Sequence, residues 1–465
     1  MQDDYRKETD ALGEVSVAKD ALWGAQTQRS LANFAIGSEI MHPRIIHAFA
    51  LIKKACAHVN AEHQCINEQQ QKLITHAADA VLSGKLSSAF PLKVWQTGSG
   101  TQTNMNVNEV LANIANGRVG EPLGSKQPVH PNDHVNCSQS SNDTFPTAMH
   151  IAFTMQIVEQ LRPALQIFIS TLADKSRAFA NVIKIGRTHM QDAVPLTMGH
   201  VFSGYHAQLT LALEQLDACM PMLAQLAIGA TAVGTGLNAP STFGEEVSAK
   251  ITALTGQPFV TAPNKYQALS AHNAALALSG CLKNLAASLY KIANDIRMLA
   301  SGPRCGLGEL VLPKNEPGSS IMPGKVNPTQ CEALCMVAIQ VFACDHAVTF
   351  AGSQGHFELN VNKPVIAHNI LQALDLLSDA MESFVDHCLR GLDVNETKIA
   401  EHLAGSLMLV TALTPAIGYD KASQIALKAH EDNISLRQAC AELEFLTLAE
   451  FDALVQPDKM LPHPE

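Results

Sequence analysis

Four segments of the chain concentrate side chains suited to gripping a small carboxylate and moving its protons. The first is Gly98-Ser99-Gly100-Thr101-Gln102-Thr103-Asn104-Met105-Asn106-Val107-Asn108. Its glycines let the backbone approach a ligand, and its hydroxyls and amides donate hydrogen bonds. At a helix start such a loop can hold a carboxylate with side chains, backbone N–H groups and the helix dipole. A plain capped helix start fits the same residues. It is not a dinucleotide fingerprint, because G-x-G-x-x-G is absent. The second segment is Ser138-Gln139-Ser140-Ser141-Asn142-Asp143-Thr144. Here Ser140, Ser141 and Asn142 suit a second carboxylate, while Asp143 or Thr144 is the expected cap of the helix that follows.

The third segment, residues 186–192, carries Arg187, Thr188 and His189. Imidazole changes charge near neutral pH and can move protons; a merely structural or exposed histidine is the competing reading. Arg187 either holds a carboxylate or pairs with Asp192. The fourth runs from Gly318 to Pro328 and offers Ser319 and Ser320 as hydroxyls, Lys325 as a cation and Asn327 as an amide donor. Glycines and prolines bracket it as a mobile segment, and a simple surface loop is the alternative. Glu332 lies just beyond and could pair with a histidine elsewhere. Many anion-binding groups, one histidine, one loop and no metal-binding cluster suit a small di- or tricarboxylate and proton chemistry.

The bulk properties agree. A net charge of −11 argues against nucleic acid, which normally demands a basic footprint. The eleven cysteines are scattered without a C-x-x-C, which reads as reduced thiols and is poor material for an iron–sulfur cluster. Residues 1–14 are polar and charged, with no apolar signal core, and no uninterrupted apolar run of ~18 residues occurs. A cytoplasmic protein without a membrane span is expected.

Long helices must position the four segments. Leu282, Leu285, Leu289, Ile292, Ile296 and Leu299 form a heptad-type seam, and Ile151, Met155, Val158, Leu161, Leu165, Phe168 and Leu172 form a second, with Pro163 placed to kink it. Two more long helices are expected over about 200–229 and 329–351. With 47% apolar and only 5% aromatic residues, closely packed helices are favoured. The expected fold is mainly α: a mixed, mostly helical N-terminal domain over 1–139, a central long-helix bundle over 140–395 and a small helical C-terminal domain over 396–465. Seams this long also suit association of subunits.

The fourth segment, Gly318-Ser319-Ser320-Ile321-Met322-Pro323-Gly324-Lys325-Val326-Asn327-Pro328, resembles the signature of the fumarase/aspartase superfamily, and the loops at 98–108 and 138–143 match in order. Within it, His189 in Thr-His-Met-Gln-Asp, the run Pro328-Thr329-Gln330-Cys331-Glu332 and Gln96–Gln102 resemble the class II fumarase family. Aspartate ammonia-lyase or another fumarate-releasing lyase is the alternative, and a non-catalytic crystallin-type homologue is a third. The resemblance implies reversible hydration of fumarate to L-malate in the tricarboxylic acid cycle, without metal or cofactor. It implies a three-domain fold in a homotetramer with a twenty-helix core, each site built by three subunits.

By the same resemblance Ser319 takes the C3 proton of malate, or His189 does so through a water. Lys325 and Asn327 stabilise the aci-carboxylate, and Glu332 supports His189. Ser99, Gly100, Thr101, Ser140, Ser141, Asn142, Thr188, Ser320 and Val326 bind substrate. His130, Pro131, Asn132 and Asp133 resemble the family's second dicarboxylate site, with a tight turn as the plain alternative. Two departures weaken that site: Gln127, beside Lys126, stands where a basic residue is expected, and Cys137 stands where Lys often precedes the Ser-Gln-Ser-Ser-Asn run.

Overall fold

A computed structural model describes residues 4–461. Seventeen α-helices dominate the described residues, and each of the four small sheets has two strands. The chain is mainly α, as its periodicity requires. Contacts divide it into two compact units. The first comprises 1–163, 213–286 and 339–378; the second comprises 164–212, 287–338 and 379–465. Five long helices contribute residues to both: Arg162–Ala178, Met198–Leu223, Asn273–Leu299, Thr329–Gly352 and Lys363–Phe384.

The first unit begins with a hairpin, Tyr5–Asp10 paired with Gly13–Ala18. Helix Pro43–Glu62 has proline in its first turn, where no N–H is needed, and His42 as its cap. It buries Ile45, Phe49, Ile52, Cys56 and Val59, a helical stripe, and buries Lys53 among them. Helix Thr101–Gly117 starts from Gly100, whose φ of 78° is left-handed. A side chain at Gly100 would also strike the Phe145 ring, 2.0 Å from the ideal Cβ position. Helix Ser141–Gln156 runs into a π-helical turn at Ile157–Leu161 before Arg162–Ala178 begins. That turn is how the chain accommodates Pro163, which lacks an N–H for the preceding turn. Of the expected seam, Met155 and Val158 are only partly buried and Ile157 is buried instead, while Leu161, Leu165, Phe168 and Leu172 are buried as expected.

The Leu282–Ile296 seam is buried throughout, within helix Asn273–Leu299. The helix Met198–Leu223 ends earlier than its periodicity suggests, since Gln225–Leu226 instead pairs as a short strand with Val260–Thr261. Helix Thr329–Gly352 is long and apolar enough to cross a membrane by length and composition alone. It nevertheless buries Asp345, which pairs with Lys283 at 2.7 Å. Near the C-terminus, short helices pack through Leu413, Ile425, Ala439 and Cys440 into a local core.

Candidate active site

In the first unit the two Ser/Thr/Asn loops meet. Ser99 Oγ lies 2.9 Å from Thr101 Oγ1, which lies 2.7 Å from Ser141 Oγ. Two helix N-termini, at Thr101 and Ser141, therefore open beside one hydroxyl chain, which is the geometry that backbone N–H groups and helix dipoles need to bind an anion. The expected cap of the second helix is corrected. Ser140 is the N-cap, and Asp143 closes a capping box by accepting the Ser140 N–H at 2.9 Å. The second Asp143 oxygen accepts the N–H groups of Gly229 and Thr231 at 3.1 and 2.8 Å. Asp143 is fully buried, and burial outweighs these bonds and pushes its carboxyl up to about 6. Asn142 uses its amide on the Ala232 carbonyl at 2.8 Å.

Behind the loops stands Lys53, which sequence reasoning missed. Its ammonium donates to Asn104 Oδ1, Asn136 Oδ1 and Gln139 Oε1 at 2.8, 3.0 and 2.9 Å. Burial pulls it down to about 7. A cation on the apolar stripe of helix Pro43–Glu62 was the signal that could have found it.

In the second unit, Thr188 and His189 sit at the tip of the hairpin Ile183–Thr188 and Gln191–Thr197. His189 and Met190 both have positive φ, 54° and 61°, and form its two-residue turn. Glycine or asparagine is the usual occupant of such positions, so this tip carries backbone strain of the kind that gathers at functional sites. Arg187 does not pair with Asp192, although the two lie opposite each other in the strands. Its guanidinium reaches Glu309 at 2.6 Å, and Lys184 and His402 reach the same carboxylate at 3.2 and 3.0 Å. Burial acts to raise Glu309, but Arg187 and Lys184 outweigh it, and its net pKa is lowered.

The 318–328 loop is a surface segment of the second unit. Ser319 Oγ accepts the N–H groups of Ile321 and Met322 at 3.2 and 3.1 Å. The Gly318 N–H donates to Lys325 O at 2.8 Å, and Asn327 Nδ2 donates to Gly318 O at 2.6 Å, which closes the loop at its neck. Ser320, Lys325 and Val326 are exposed, and Lys325 makes no ion pair among the described residues. Glu332 lies in the first turn of helix Thr329–Gly352. Within one chain it makes neither a hydrogen bond nor an ion pair with His189 among the described residues.

His130, Pro131, Asn132 and Asp133 form no simple tight turn. Pro131–Val135 is a π-helical turn capped by His130, whose Nδ1 accepts the N–H groups of Asn132 and Asp133. It lines a cavity of about 300 Å³ with Lys126. Burial, then Lys126, lowers the His130 pKa while Asp133 opposes.

Comparison with known proteins assigns the family. A lyase family profile matches residues 13–343, and a fumarase C C-terminal profile matches 409–462. The class II fumarate hydratase of Thermosynechococcus vestitus is 57% identical, over 99% of both chains. The chain belongs to the class II fumarate hydratase family. The family resemblance extends to the mitochondrial fumarate hydratase of Rattus norvegicus, 56% identical over 99% of this chain and 91% of that one. Among solved structures, class II fumarase from Schistosoma mansoni superposes with a TM-score of 0.96 at 45% identity, covering 98% of this chain and 99% of that one. A fumarate lyase:delta crystallin from Brucella melitensis, bound to cobalt, gives a TM-score of 0.93 at 37% identity, covering 98% of this chain and 99% of that one. The mainly α fumarase/aspartase fold expected from the loops is the fold of these class II fumarate hydratase relatives.

Proposed function

We propose that this chain catalyses the reversible hydration of fumarate to L-malate, as a metal-independent carbon–oxygen lyase of the tricarboxylic acid cycle. The observation that carries this reading is full-length identity of 57% to a class II fumarate hydratase. The obstacle is the C3 proton of malate, which is barely acidic, and whose loss leaves an aci-carboxylate with extra negative charge. Ser319 is the base of this reading. Two N–H groups already point at its oxygen, and their hydrogen bonds, with the Lys325 charge, favour the alkoxide that must be present before Ser319 can take the proton. Lys325 has no competing partner among the described residues and, with Asn327, meets the developing charge. His189 returns or removes a proton at the hydroxyl side, supported by Glu332. Ser99, Gly100, Thr101, Ser140, Ser141, Asn142, Thr188, Ser320 and Val326 hold the substrate.

The assembly in this reading is a homotetramer with sites shared by three subunits, in a cytoplasmic setting. It is supported by exposed apolar side chains on the long helices, among them Leu211, Met298, Met336, Ile339 and Phe350, which water disfavours and subunit packing would cover. His130 to Asp133 are proposed as the second dicarboxylate site, with Lys126 as its cation. Fumarate absorbs in the ultraviolet, and its loss on mixing with enzyme alone identifies the hydratase. Loss only with added ammonia would mean an aspartase, and no loss would end the catalytic reading.

A further inference from the structure

Two fully buried lysines, Lys53 and Lys363, and the partly buried Lys265 surround Asp143 closely enough to feel its charge. None forms an ion pair with it. Lys53 is saturated by its three amide oxygens. Lys265 donates to the carbonyls of Leu226 and Ile228 and to the Thr261 hydroxyl. Lys363 differs from both. It has no exposure, and its Nζ has no hydrogen-bond partner. It also opens helix Lys363–Phe384, where the helix dipole opposes a cation.

Its position is tied to the Gly98–Thr101 loop. The Lys363 N–H donates to Gly98 O at 3.1 Å. The Val361 carbonyl lies 1.3 Å from where a Gly98 Cβ would stand, so the two segments press together. His272, also buried, has an unpartnered Nε2 and feels the Lys363 charge. Burial, then Lys363 and His150, pulls it down to about 3, so it stays neutral beside the ammonium. Burial, the missing hydrogen-bond partner and the adverse dipole all count against one side chain, and the charge of Asp143 offsets them only in part. A residue placed so is expected where a ligand supplies the partner.

We propose that Lys363 is a further positioning cation of the dicarboxylate site, supplying charge from behind the Gly98–Thr101 loop to the carboxylate that Ser99, Thr101 and Ser141 hold. The inference rests on the fumarate chemistry proposed above. Asp143 favours the charged form of Lys363, while His272 and His150 bring no opposing carboxylate. Burial lowers Lys363 to about 7, and a bound dianion restores its proton. Affinity therefore falls as pH rises through this value.

The test is Lys363→Met, which keeps the length of the side chain and removes the charge. KM for fumarate at about pH 6.5 is expected to rise on the order of ten- to a hundredfold, the loss of a charge acting on the dianion at low dielectric, with kcat changed by less than about threefold. Tm stays or rises, because an unpaired buried charge is gone. A purely structural residue would not set a pH profile. Wild-type KM is expected to climb above about pH 7, and the variant to lose that climb. An unchanged KM in a folded variant overturns the proposal, and so does a raised KM that still climbs with pH. A wild-type KM flat between about pH 6 and 9 overturns it without any variant. Absence of fumarate turnover by the wild type would instead remove the functional reading beneath it.

Discussion

Thr101 Oγ1 and Ser141 Oγ share a hydrogen bond of 2.7 Å, although forty residues separate them. The bond joins the N-termini of two helices, so each loop holds the other at the place where a carboxylate would dock. Thr101→Val keeps the shape and removes the bond. Steady-state kinetics are expected to show KM raised about two- to tenfold with kcat nearly kept, since one neutral hydrogen bond contributes about 0.5–1.5 kcal/mol. A larger loss in kcat than in affinity would move Thr101 from binding to chemistry.

Ser319→Ala removes the proposed base and leaves the two N–H groups of Ile321 and Met322 pointing at empty space. Turnover is expected to fall by about 10²–10⁴-fold, the range that a positioned base contributes, with little change in KM. Near-normal turnover would hand the C3 proton to a water activated by His189.

The proposed site residues divide between the two compact units, with Ser99, Thr101 and Ser141 in one and His189, Ser319 and Lys325 in the other. If subunits complete each other's sites, two impaired variants can rescue one another. Thr101→Ala and Ser319→Ala, co-expressed or refolded together and assayed at fumarate well below KM, are expected to show more hydratase activity than either variant alone. No recovery in a mixture proven to contain hybrid oligomers would restrict each site to one chain.

Glu309 has no exposure and holds Lys184, Arg187 and His402 around the base of the His189 hairpin. Glu309→Gln strands the buried Lys184 and the partly buried Arg187 and is expected to cost about 3–5 kcal/mol, read as a fall in Tm. The pH dependence follows from the sign of the shift. The folded carboxyl lies below its unfolded value, so the stabilisation is complete above roughly pH 4.3 and is lost as pH falls through the lower folded value. Wild type should lose Tm in that acid window and the variant should lose less. Parallel acid curves would contradict the pairing.

The second site gives a milder expectation. Burial, and more weakly Lys126, lowers the His130 pKa against Asp133, and the cavity sets one cation, Lys126, among the carboxyl groups of Glu8, Asp10 and Glu109. His130→Asn is expected to leave kcat/KM within about twofold, because loss of a partner that carries no charge removes little binding energy. A tenfold loss would give this cavity a working role.

The proposed chemistry is legible in the sequence where it is local. Ser319, Lys325 and Asn327 sit within one loop, and Ser140 to Asp143 within one helix start, so residue type and spacing carry the message. Even there the cap differs from the expected Asp143 or Thr144: the Ser140 hydroxyl accepts the Asn142 N–H, and Asp143 accepts the Ser140 N–H. Pairing over distance was not legible. Arg187 has an acidic neighbour across its own hairpin, but its partner is Glu309, 122 residues away and buried. Nor did periodicity reveal Lys363, because a residue in the first turn of a helix has no preceding turn to set its face. The long seams predicted helices well and their ends poorly, as at Leu223, where a short strand pairing took over from helix propensity.

The approach of Gly98 to the Val361 carbonyl also limits how this site can change over evolutionary time. Any other amino acid at that position would have to force its Cβ into an oxygen 1.3 Å away, so the position is closed to variation while the fold lasts. New substrate preferences must then be written in the side chains proposed to face the ligand, at Ser99, Thr101 and Ser141. They cannot come from reshaping the root of the loop, and a library aimed at altering specificity would waste its diversity there.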